Sequence, residues 1–79
     1  MVRLFHINIP KAVNLAVKMA AKIEAQAEKE FRGDHKRMLL SLAQEHYSIA
    51  EKLEAGKYAS FDACQALIKT HSYLRECVL

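Results

Sequence analysis

His46 and His71 are the side chains whose spacing best suits joint chemistry. His46 belongs to the series Leu39, Leu42, His46, Ile49, Leu53, and His71 to the series Cys64, Leu67, His71, Leu74, Val78. Both step 3, 4, 3, 4, which keeps side chains on one helix face. His46 lies twelve residues before Tyr58 and His71 thirteen after it. Folded as an antiparallel hairpin, the segment places both imidazoles in one layer. Three chemistries are open to that layer. As structure, the rings would bond each other, a backbone carbonyl, Tyr47 or Tyr73, and fix the register. As a pH sensor, two facing imidazoles would resist double protonation. As a metal site, His46 and His71 are too few ligands for most ions. They would need a carboxylate such as Glu24, or a dimer bringing four imidazoles together. Neither Glu-x-x-His nor His-x-x-x-His occurs, so neither helical metal signature supports that role. The expectation is a structural layer, with no metal and no cofactor.

Other catalytic sets are missing from the sequence. It has no Gly-rich phosphate loop, no G-x-S-x-G and no CxxC. Cys64 and His71 share a helix face but stand ~10 Å apart along its axis, too far for direct activation. Cys64 and Cys77, on one expected helix, stand ~20 Å apart, too far for a mutual disulfide. Two reduced thiols and no enzyme activity are the expectation.

The elements that must carry these residues are helical. Seventy-nine residues, 52% of them hydrophobic, make one small domain with a modest core. Two Gly and one Pro leave few natural breaks. Residues 2–9 alternate loosely, with Phe5, Ile7 and Ile9 on one side and Leu4, His6 and Asn8 on the other. They read as an extended arm over 1–9. Pro10 then suits the first turn of a helix over about 10–32. Its stripe is Ala12, Leu15, Ala16, Met19, Ala20, Ile23, Ala27 and Phe31. Gly33 and Asp34 break the pattern, and Asp34 is an N-cap for a second helix over about 35–55. Gly56 should end that helix in a left-handed conformation. Ser60 should cap a third helix over about 60–77, with Asp62 in its first turn. In the hairpin register Leu53 faces Cys64, Ile49 faces Leu67, Leu42 faces Leu74, and Leu39 faces Val78. The expected fold is an all-α, three-helix antiparallel bundle with a short N-terminal arm.

The net charge of +3 is uneven. Residues 1–33 carry six Lys/Arg against three Asp/Glu, whereas residues 34–79 carry six of each. Lys11, Lys18, Lys22 and Lys29 fall within ~40° on the first helix, opposite its apolar stripe. The stripe is either a solvated face or a contact for phosphate or an acidic protein. Leu40, Tyr47 and Tyr73 lie off the main stripes. They either widen the faces for packing or form a patch that binds a partner or a second copy. No apolar run approaches the ~20 residues of a membrane span, and the N-terminus lacks a secretory core. A cytoplasmic location is expected.

The segment RLFHINIPKAVNLAVKMA, Arg3 to Ala20, resembles the opening of ribbon-helix-helix DNA-binding proteins, in which an alternating strand, a Pro and an amphipathic helix follow in order. Gly33 with DHKRMLLSLAQEHY resembles the family's second helix. The resemblance implies a dimer whose paired strands enter the major groove. Phe5, Ile7 and Ile9 would face the dimer core, and Leu4, His6 and Asn8 the bases. Arg3, His6, Asn8, Lys11, Lys18, Lys22 and Lys29 would then touch nucleic acid.

Two functions follow as expectations. The first is a non-enzymatic interaction module, an adaptor or inhibitor that binds a macromolecule through helix faces at Leu40, Tyr47 and Tyr73. It fits a small regulatory or phage-type product working as a homodimer. The alternative is a dimeric DNA-binding regulator that reads DNA with the arm.

Overall fold

The computed structural model describes residues 7–79. Arg3, Leu4, Phe5 and His6 of the expected arm lie outside the described residues. The elements in chain order are α1 (Ile9–Glu28), α2 (Gly33–Glu54), α3 (Phe61–Thr70) and a 3-10 segment (Ser72–Cys77). The architecture is all-α, as composition led one to expect.

The helix ends follow local chemistry. Asn8 caps α1, its side-chain oxygen accepting from the Lys11 N–H at 3.1 Å, and Pro10 fills the first turn. α1 stops at Glu28 rather than near Arg32, and Phe31 drops out of its stripe to stand fully exposed. α2 starts at Gly33, so Asp34 lies in the first turn instead of at the cap. Its carboxylate is favoured there by the helix dipole. Glu30 secures the α1–α2 connection: it accepts from the Arg32 N–H at 3.2 Å and pairs with His35 Nδ1 at 3.0 Å. Gly56 has φ 78°, the left-handed stop expected of it. Ser60 caps α3 by accepting from the Ala63 N–H at 3.1 Å, with Asp62 in the first turn.

α1 and α2 pack along their lengths, and the short connection between them makes the pair antiparallel. Ala12, Ala16, Ala20 and Ala27 of α1 are fully buried, and Ala43 and Ala50 of α2 nearly so. Small side chains let the two backbones approach closely.

The expected helix over 60–77 is corrected. α3 ends at Thr70, and His71 has φ −125° and ψ 76°, outside the helical region. The Thr70 hydroxyl donates to the Ala66 carbonyl at 3.0 Å, the local competition that weakens a helix end. The turn drives Leu74 and Cys77 into the core, against Ala12, Ala16 and the α3 residues Cys64, Leu67 and Ile68. A continued helix would have carried Leu74 and Val78 toward Leu42 and Leu39. Instead Val78 forms an antiparallel bridge with Ile7, and the Asn8 N–H donates to the Cys77 carbonyl at 2.7 Å. Ile7 is thus paired within its own chain. The backbones of α2 and α3 do not approach closely, and the two helices share the core through Ile49, Leu53, Cys64 and Leu67.

One end of the α1–α2 hairpin therefore carries the main core, and the other end runs on as two helices. The molecule is elongated, 55 × 20 × 18 Å.

Candidate functional site

His46 and His71 do meet. Their ring centroids are 5.3 Å apart and the rings are perpendicular. α2 supplies His46 from mid-helix, and the non-helical residue after α3 supplies His71. The two are neighbours although α3 does not run along α2, because the break at His71 turns that ring inward.

His46 is 6% exposed. Its Nδ1 lies 2.8 Å from the Leu42 carbonyl oxygen, so Nδ1–H donates to that acceptor. This is the backbone-carbonyl option among the structural roles expected of the layer. Tyr73 completes the group. Its ring stacks on His46 at 5.7 Å and 29°, and meets His71 edge-on at 6.2 Å. Two buried polar atoms here, His71 Nδ1 and Tyr73 Oη, have no hydrogen-bond partner among the described residues. Burial pushes the Tyr73 hydroxyl up to about 12, with Cys77 and Glu45 adding in the same direction. It stays neutral across the physiological range.

Glu45 is the neighbour that sequence reasoning missed. Its Oε1 lies 3.8 Å from His71 Nε2, at the edge of the cluster. Position gave a signal, since Glu45 precedes His46 on a helix facing His71. Glu24, the carboxylate considered for a metal, is engaged elsewhere: the Tyr47 hydroxyl donates to it at 2.6 Å. That contact raises the Tyr47 hydroxyl above its usual range, the hydrogen bond to Glu24 being the main cause. Among the described residues no three His, Cys, Asp or Glu side chains converge as metal ligands would.

Cys64 and Cys77 are free and buried. They lie on separate elements, not on one helix as expected. Burial pushes both thiols up, which favours the protonated, unreactive form. For Cys77 Lys11 opposes that shift and Glu76 adds to it.

The residues expected to bind a partner divide between two sides. Tyr73 lies on the His46 side. Leu40 and Tyr47 are seven residues apart and share another face of α2, Tyr47 being turned ~100° from His46. Leu40 is 44% exposed, and Tyr47 is half-buried on Glu24. Lys11, Lys18, Lys22 and Lys29 are all exposed. Lys11 Nζ donates to the Glu76 carbonyl at 3.3 Å. Lys18 and Lys22 border a groove of about 600 Å³ with Leu15, Met19, Tyr73 and Glu76. No helix of the described residues is long and apolar enough to cross a membrane.

Comparison with known proteins returned no matching family model, no similar curated protein and no similar solved structure.

Proposed function

We propose that this chain is a non-enzymatic interaction module that binds a macromolecular partner through its helix faces. The observation that carries the reading is the exposed apolar surface of α2. Leu40 is 44% exposed on the face it shares with Tyr47, although the main core lies at the other end of the hairpin. An apolar side chain held on a rigid helix beside a half-buried tyrosine suits recognition of another protein. The imidazole pair supports the same reading. His46 is tied to a backbone carbonyl, both thiols favour the protonated form, and Tyr73 is neutral. The module works in the cytoplasm, where its two thiols stay reduced.

The test is partner capture with the full chain. Leu40→Glu and Tyr47→Ala should each abolish retention of the partner while the helical circular-dichroism signal survives. Retention that persists through both substitutions overturns this surface.

A second reading is a dimeric DNA-binding regulator, supported by the exposed Lys18, Lys22 and Lys29. It predicts DNA binding that weakens steeply as salt rises. Absence of binding at low salt would end it.

A further inference from the structure

α2 carries a second exposed apolar stripe, on a different face from Leu40. Met38 is 57% exposed and Leu42 40%. They continue the line of Ile49 and Leu53, which are buried where α3 and the 3-10 segment cover them. Beyond His46 that cover ends and the stripe runs on. Its positions are His35, Met38, Leu42 and Glu45, stepping 3, 4, 3. This is the spacing of a two-helix seam.

The stripe is complementary to itself. Laid antiparallel on a second copy with the two-fold axis between Met38 and Leu42, it puts Met38 opposite Leu42 and Leu42 opposite Met38. The same register puts His35 opposite Glu45 at one end and Glu45 opposite His35 at the other. Two apolar layers are thereby closed on both sides by a base and an acid. A two-fold interface needs this property, because each residue must suit the one it meets and the reverse. Only one register has it. The seam spans ~15 Å of helix. The existing contacts permit the pairing. Glu30 engages His35 through Nδ1, which leaves Nε2 as a second ring nitrogen for a partner, and Glu45 is exposed, reaching His71 only at 3.8 Å. The core of the described residues is small, and such association adds to it.

We propose that a second copy of this chain covers the Met38–Leu42 stripe of α2, joining two α1–α2 hairpins into an antiparallel four-helix bundle. The interface is separate from the Leu40–Tyr47 face, which stays open in the dimer.

Mass in solution tests it on the full chain, by light scattering or sedimentation across a concentration series. Wild type should weigh twice the 9.0 kDa of the monomer. Leu42→Glu and Met38→Glu should each weaken dimerisation at least tenfold with helix content unchanged. Both side chains are exposed, so neither change disturbs the fold. Leu40→Glu should lose the partner and keep the dimer, which separates this interface from the partner-binding one. Glu45→Lys alone should weaken the dimer with helix content unchanged. A wild-type monomer at all concentrations overturns the proposal. So does a dimer that survives Leu42→Glu.

Discussion

The ring of Tyr73 lies stacked on the imidazole of His46, 5.7 Å between centroids, and its buried hydroxyl has no hydrogen-bond partner among the described residues. An unpartnered buried hydroxyl costs free energy that a phenyl ring in the same place would not. Tyr73→Phe should therefore leave the melting temperature unchanged or raise it. A clear fall would show that the hydroxyl makes a contact in solution.

The same hydroxyl makes the fold sensitive to alkali. Its folded value of about 12 lies above the usual tyrosine value of 10.0. A raised value means that the fold disfavours the ionised form, so stability is undiminished below 10.0 and is lost as pH climbs through about 12. Tyr47 and Tyr58 are also raised, Tyr47 mainly by the hydrogen bond to Glu24 and Tyr58 by burial. Absorbance titration of tyrosinate should be late for all three, and Tyr73→Phe should remove the phase near 12. An ordinary ionisation of all three tyrosines near 10 would contradict the burial of Tyr58 and Tyr73 and the hydrogen bond of Tyr47 to Glu24.

Glu30 gives the acid counterpart. The Arg32 N–H, then His35, holds its carboxyl below the usual value of 4.5. A lowered value contributes stability above 4.5 that is lost as pH falls through the folded value. Glu30→Gln should lower the melting temperature at neutral pH, and the gap to wild type should close in acid. A gap that stays constant with pH would mean that charge plays no part.

The two glycines should respond with opposite signs. Gly56 sits at φ 78°, where a side chain is strained, and Gly56→Ala should cost ~1 kcal/mol. Gly33 opens α2, and an added methyl group there would meet no atom within 4 Å, so Gly33→Ala should stabilise by up to ~1 kcal/mol. Denaturant midpoints of the two variants on either side of wild type are the expected result.

The alanine contact between α1 and α2 should tolerate little. Ala16 is fully buried, and Ala16→Leu should cost ~1–3 kcal/mol by forcing the helices apart. Leu53→Ala, at the buried end of α2, should cost ~2–5 kcal/mol through the cavity it leaves. Neutral outcomes at both would mean that the core lies elsewhere.

Much of this fold was legible because its signals are local. Pro10, Gly56, Ser60 and Asp62 act within one helical turn, and each sits where its chemistry pointed. The meeting of His46 and His71 was legible only as a pairing, since it comes from the break at His71 and not from the helical register that pointed to it. The break itself was not legible. Neither Gly nor Pro marks it, and the apolar steps at Leu74 and Val78 continue as though the helix did. The gain that breaks it is tertiary: Leu74 and Cys77 reach full burial against α1, and Val78 finds Ile7. Asn8 as a cap was readable two residues before Pro10, but the alternating pattern around it drew it into the arm. Glu45 beside His71 was signalled only by its place next to His46.

The bridge between Ile7 and Val78 has a consequence for the order of folding. The α1–α2 hairpin closes over a connection of only residues 29–32, whereas this bridge closes almost the whole chain. Loop-closure entropy rises with the logarithm of the enclosed length, and distant contacts form slowly. The hairpin is then expected to form early, and the Ile7–Val78 contact to form last and to fray first. In native-state hydrogen exchange the Asn8 amide, bonded to Cys77, should exchange well before the mid-helix amides of α1 and α2. Its opening would also be the event that first admits solvent to the Cys77 thiol.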